Sequence, residues 1–268
     1  MQRRRHYDWL YVNEKSASIA ERARSFGSVA ELYDELRPPA PLALAPWIGL
    51  SASDCVIDVA AGTGLITRHL ETSGARVIAV EPDVAMLEVL QRQSPGVSAL
   101  SARAEQLPLA DHSATVVVII NAWHWVHQHD AFADFARVLA NDGQLVVGWN
   151  GADQRVDWVR EIFALRRSTE NSGAQRHDAR GVDTTLTNEF TTPRTATLEW
   201  TWLRTPDQLT RLFLTYSGVI TLDDARRQHV IDEVQRRIDE RFAGVDLIEL
   251  PMSTRLWGAR RIPRATNT

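Results

Sequence analysis

The segment Val56-Ile57-Asp58-Val59-Ala60-Ala61-Gly62-Thr63-Gly64-Leu65 joins a β-branched run to a turn with two glycines and then to a residue able to open a helix. Glycines at such a turn let the backbone come close to a ligand, and an acid about 20 residues on, at the end of the next strand, can accept both hydroxyls of a ribose. Glu81 follows Gly62 by 19 residues. This is the layout of a nucleotide site. A dinucleotide is disfavoured, because its fingerprint needs a third glycine three places after the second, and Thr67 stands there with a side chain that would obstruct close helix packing. Taken alone, the turn does not separate a ligand site from a plain structural turn.

His124, His127 and His129, with Asp130 adjacent, invite a metal reading. Metallohydrolase loops use the denser spacing His-x-His-x-Asp-His. Here Asp130 directly follows His129 and no histidine comes after it, so no metal is expected. Cys55 is the only cysteine, which excludes an intrachain disulfide and fits a reducing cytoplasm.

The elements that must position these residues alternate. Val56–Val59, Arg76–Val80, Thr115–Ile120 and Gln144–Gly148 are short, nearly continuous apolar runs separated by helical stretches, the pattern of parallel strands covered on both faces. Before them, Ser28-Val29-Ala30-Glu31 has capping-box spacing and predicts a helix ending near Arg37, ahead of Pro38-Pro39. Tyr33 and Arg37, four apart, leave that helix on one side. The stretch Pro38–Pro46 reads as a linker. After Trp149 the sequence predicts a helix over 153–167, a polar loop over 168–193 and a strand over 195–203. Thr205-Pro206 then opens a helix, a longer helix covers 223–242 with Val230, Val234, Ile238 and Phe242 on one stripe, and a last strand covers 246–257.

Composition bounds the function. A chain of 268 residues with 44% hydrophobic and 24% charged residues is a folded globular protein, and its net charge of −4 supplies no basic field for nucleic acid. Lys15 is the only lysine; the arginine excess reads as coding bias. The start Met1-Gln2-Arg3-Arg4-Arg5 has no apolar segment behind it, so neither export nor membrane insertion is expected, and the expected location is cytoplasmic.

These motifs together resemble the class I S-adenosylmethionine-dependent methyltransferases, in their small-molecule branch, over about residues 25–258. That family's first motif is Asp-x-Gly-x-Gly-x-Gly, and Asp58, Ala60, Gly62 and Gly64 occupy its places, Ala60 departing by one methyl group. Glu81-Pro82-Asp83 resembles the second motif, in which the acid holds the ribose. Ala102–Pro108 resembles the segment lining the adenine, which carries over to Ala104, whereas Arg103 stands where many members have an acid. Phe26-Gly27, Tyr33, Arg37-Pro38, Ala122-Trp123-His124-Trp125, Trp149-Asn150 and Thr254-Arg255-Leu256-Trp257 are similar to an ensemble in bacterial methyltransferase-like proteins, loosely similar to trans-aconitate methyltransferase.

The resemblance implies a doubly wound, Rossmann-like α/β fold. Its sheet would have seven strands, mostly parallel with an antiparallel last strand. Residues 1–50 would be an N-terminal helical lid, and residues 51–268 the methyltransferase domain, with a helical cover insertion at about 205–243. S-adenosylmethionine is the implied cofactor, with Asp58, Ala60, Gly62, Gly64, Glu81, Pro82, Ala104 and Asn121 around it. A small molecule is the implied methyl acceptor, with Tyr33, Arg37 and Trp123 as substrate or lid residues and His124 as a candidate base. The alternative is a non-catalytic relative that binds the same cofactor as a sensor or partner protein; Ala60 and Arg103 are the features that favour it.

Overall fold

The computed structural model describes residues 25–166, 182–183 and 188–263. Expectations for residues 1–24, and most of the loop expected over 168–193, lie outside the described residues. Seven strands form one sheet: β1 (Cys55–Val59), β2 (Arg76–Val80), β3 (Ser98–Leu100), β4 (Ala114–Ile120), β5 (Leu139–Ala152), β6 (Arg194–Arg204) and β7 (Ile248–Arg260). Their order is β3-β2-β1-β4-β5-β7-β6. The first five are parallel, and β7 runs antiparallel between β5 and β6. The expected mostly parallel sheet with an antiparallel last strand is what forms.

Period-two alternation builds a core on each face. Ile57, Val59, Val117 and Ile119 point to one face, against Phe132 and Phe135 of the helix Gln128–Val138. Val56, Val116, Val118 and Ile120 point to the other, against Leu70, Leu44 and Ile48. A third cluster joins the helices Asp157–Phe163, Pro206–Arg211 and Asp224–Arg241 to Leu250 and Met252 of β7, with Val230, Val234 and Ile238 buried as their spacing requires. Thr205 caps its helix in a complete capping box.

Three local expectations are corrected. The spacing at Ser28–Glu31 is not a capping box: Phe26–Val29 is a 3-10 turn, the Ser28 hydroxyl donates to the Ser25 carbonyl, and helix α1 (Ala30–Leu36) starts without a side-chain cap. Residues 38–46 are not all linker, since α2 (Leu44–Ile48) contains Pro46. Proline is tolerated there because N–H groups in a helix's first turn have no partner in the helix. The strand β3 was absent from the predicted runs; it is three residues long at the sheet edge.

Candidate functional site

Asp58, Glu81 and Asn121 lie at or just past the carboxyl ends of β1, β2 and β4, so the sheet brings them to one edge. The turn after β1 folds back over that edge. Ala60, Gly62 and Gly64 all have positive φ, at 52°, 58° and 86°. A Cβ on Gly62 would meet nothing within 4 Å, whereas one on Gly64 would sit 2.9 Å from the side chain of Leu90. Gly64 is thus required by packing, and Gly62 leaves open space over the turn.

Glu81 organises the turn. Its carboxylate accepts from the N–H of Gly62 at 2.8 Å and of Asp83 at 2.9 Å, one on each oxygen. A carboxylate offers about four lone-pair sites, so about two remain for further donors such as ribose hydroxyls. Burial raises its pKa, against the two N–H bonds. Asp58, 1% exposed, accepts from the Thr67 hydroxyl at 2.6 Å. Its pKa is pushed up to about 7, chiefly by burial, with the nearby Glu81 charge adding to the shift. Thr67, read from sequence as an obstruction, is instead the buried partner of this acid.

Thr63 was missed by sequence reasoning as an individual residue. Its hydroxyl is buried in the turn and has no hydrogen-bond partner, a donor that a bound ligand could use. Its carbonyl accepts from Arg68, which also grips Asp34 of α1 at 2.7 Å. Helix α1 is held further by Glu31 to Arg92 and by Glu35 to Arg211, and Phe26 packs edge-on to both Tyr33 and Trp125. Asp83 caps the helix Val84–Gln93, and a Cβ on Gly27 would meet its carboxylate at 2.5 Å. The N-terminal segment can therefore lie directly on the second motif. Ala104 is buried; Pro82 and Arg103 are exposed, and Arg103 pairs with Glu105.

Asn121 has φ 61° and accepts through its side chain from the N–H of Asn150 at 2.7 Å. Asn150 in turn donates to the carbonyl of Pro39 and accepts from Thr254. Beside Asn150 is a cavity of about 40 Å³ between α1 and the late helices, with Arg37, Arg166 and Tyr216 in its wall. The guanidinium of Arg37 lies 5.2 Å from the Tyr33 ring centroid and 4.6 Å from that of Tyr216. Burial works against its charge, yet the two tyrosines shift the balance and its pKa is raised.

Two expectations for the acceptor side change. Trp123 is a core residue, 1% exposed and packed edge-on to Phe132 at 5.0 Å, and it does not line the cavity beside Asn150. His124, on the turn Trp123–Trp125, is exposed with its ring against Trp125, and it is not in the cavity wall. His127 and His129 both face Asp130 from exposed positions, and among the described residues no three His, Cys, Asp or Glu side chains are grouped to hold a metal. Among the described residues no helix is long and apolar enough to cross a membrane.

A methyltransferase-domain family model matches residues 57–147. An uncharacterized methyltransferase from Mycobacterium bovis is 35% identical over 221 residues, covering 82% of this chain and 88% of the relative. A solved protein from Anaeromyxobacter dehalogenans, described as a putative type II methyltransferase, superposes with a TM-score of 0.59 at 21% identity, over 85% of this chain and 99% of that one. Haemonchus contortus phosphoethanolamine N-methyltransferase 2, solved with phosphomonomethylethanolamine and S-adenosylhomocysteine, superposes with a TM-score of 0.55 at 12% identity, over 94% of this chain and 62% of that one.

Proposed function

Since the chain belongs to the class I S-adenosylmethionine-dependent methyltransferases, we infer that it methylates a small molecule, with the cofactor lying over the turn at Gly62 and the acceptor beyond Asn121. The observation that carries this reading is the meeting of Gly62, Thr63, Glu81 and Asn121 at one carboxyl edge of the sheet, where doubly wound folds bind ligands. When bound, S-adenosylmethionine supplies a methyl carbon on a sulfonium, which an acceptor lone pair displaces in line while the S–C electron pair leaves with the sulfur.

The residues present fit that cofactor. Glu81 retains lone pairs for two ribose hydroxyls, Gly62 admits close approach, the buried Ala104 offers an apolar wall to the adenine, and Thr63 has a hydroxyl without a partner. Asn121 orients the cofactor's methionine end. Tyr33 and Arg37 cover the edge from α1 and exclude water, so the chain's contribution is alignment and desolvation. No proton acceptor is assigned, because His124 stands outside the cavity wall.

Calorimetric titration with S-adenosylmethionine, S-adenosylhomocysteine and NAD tests the reading. Binding of both sulfur compounds without NAD is expected, followed by transfer of labelled methyl in an acceptor screen. NAD binding, or no binding of either sulfur compound, would refute it.

A further inference from the structure

A row of hydrogen bonds crosses the last three strands of the sheet and ends on the chain that follows Arg37. Asn150 of β5 is 5% exposed and pairs with Thr254 of β7, which is fully buried. The Thr254 hydroxyl donates to the side-chain carbonyl of Asn150 at 2.8 Å and accepts from the indole N–H of Trp200, on β6, at 3.1 Å. The amide nitrogen of Asn150 donates to the Pro39 carbonyl at 2.7 Å, and its backbone N–H donates to the side chain of Asn121 at the same distance.

Each direction in this row is forced. An indole can only donate and a carbonyl can only accept. Turning the Asn150 amide over would oppose two acceptor oxygens across 2.7 Å at Pro39. The amide nitrogen therefore stays on Pro39, the amide oxygen takes the Thr254 proton, and the hydroxyl's lone pair takes the indole. A side chain whose orientation is fixed from both ends holds one geometry. Pro38, Pro39 and Pro41 have no N–H, so the stretch between α1 and α2 is tied to the sheet by hydrogen bonds mainly through its carbonyls. Arg37 leaves α1 extended, at ψ 150°, as residues before proline do. The anchor at Pro39 thus sets where Arg37 and the end of α1 lie relative to Asn121.

We propose that Asn150 is a positioning residue for methyl transfer. It acts through two neighbours. Its backbone N–H sets the side chain of Asn121 at the cofactor's methionine end, and its amide, locked by Thr254 and Trp200, pins Pro39 and so seats Arg37 over the carboxyl edge. The assignment rests on the methyltransferase reading above and deepens it. Loss of the amide unseats the cover while the sheet beneath it stays folded.

The test is calorimetry with S-adenosylhomocysteine on the wild type, Asn150→Leu, Arg37→Met and the double variant, each shown folded by circular dichroism. Leucine keeps the shape of the side chain and removes its hydrogen bonds. Asn150→Leu is expected to bind about fivefold more weakly than the wild type, with hydrogen exchange faster over residues 30–48 and unchanged in β4. In the Arg37→Met background the same change is expected to cost less than about twofold, because the group that Asn150 seats is gone. Thr254→Val is expected to weaken binding about threefold, and Thr254→Ser, which keeps the hydroxyl, to bind as the wild type does. If Asn150→Leu fails to fold, these two variants in both backgrounds decide. Unchanged affinity in Asn150→Leu or Thr254→Val, whatever happens to stability, would overturn the assignment and leave the row a matter of folding alone. An equal loss in both backgrounds would overturn it too, since Asn150 would then not act through Arg37. Failure of the wild type to bind S-adenosylhomocysteine is a different result, because it removes the methyltransferase reading and this assignment with it.

Discussion

The side-chain carbonyl of Asn121 accepts the backbone N–H of Asn150 at 2.7 Å, two residues beyond Gly148, whose carbonyl accepts the N–H of Asn121. The paired register of β4 and β5 ends at Ile120 and Gly148, so a side chain extends the pairing past the last residue of β4. Asn suits the place twice over, since it tolerates positive φ and supplies the acceptor. Asn121→Gly keeps the backbone angle but orphans the buried N–H, and a loss of about 1–3 kcal/mol is expected. Asn121→Ala adds a left-handed L-residue and is expected to lose about 1 kcal/mol more. Urea unfolding of the two variants checks the order; an alanine variant as stable as the glycine one would deny the conformational part.

Glu81 spends one oxygen on Gly62 and the other on Asp83. Glu81→Ala removes the ribose acceptor and also the strut that holds the turn in place. Affinity for S-adenosylhomocysteine is expected to fall at least tenfold, about 1.4 kcal/mol or more, by calorimetry on protein shown folded by circular dichroism. Unchanged affinity would mean that the ribose lies elsewhere.

Ala60 occupies a family glycine position at φ 52°. An L-residue there costs about 1–2 kcal/mol, and glycine gives back about 0.5–1 kcal/mol in unfolded-state entropy. Ala60→Gly is therefore expected to stabilise the protein by about 0.5–1 kcal/mol without weakening the cofactor. A loss of stability on denaturant titration would show that the alanine methyl is packed to advantage.

Much of this was legible because it is local. Runs such as Arg76–Val80 can hardly be anything but buried strands, and the glycine turn with Glu81 at the next strand end announces a ribose-type site. What was not legible depends on partners distant in sequence. Thr67 reads as an obstruction until Asp58 is seen to lie under it, and Trp123, expected as a substrate or lid residue, packs against Phe132 and Phe135 of the following helix. The three residues of β3 carry too few side chains for a period to show. The cavity unites Arg37, Asn150, Arg166 and Tyr216, a set with no spacing to recognise.

Arg68 binds the Thr63 carbonyl and the Asp34 carboxylate at once, and so couples the glycine turn to α1. Asp34→Asn leaves the turn intact and removes the charge that draws α1 down. A partly exposed ion pair is worth roughly 0.2–1 kcal/mol, so S-adenosylhomocysteine affinity is expected to fall about two- to fivefold with little change in thermal midpoint. An equal loss of stability and affinity would make the pair merely structural.

Asp58 gives the sharpest pH prediction. Unfolded, its carboxyl titrates near the model value of 3.8; folded, it titrates near 7, because burial opposes its charge and Glu81 lies close by. Between those values the native state holds a proton that the unfolded state has released. Stability contributed by this group is therefore fully present below about pH 4 and is lost as pH rises toward 7. Asp58→Asn cannot titrate, so the wild type is expected to lose stability relative to the variant between pH 4 and 7 and to run parallel to it above pH 8. Thr67→Val sharpens the test: it removes the hydroxyl that the carboxylate accepts, and its cost should be larger at pH 8, where Asp58 is charged, than at pH 5. Denaturant midpoints for the three proteins across that range decide the matter, and a pH-independent gap between wild type and Asp58→Asn would mean that the carboxyl keeps an ordinary pKa in the folded protein.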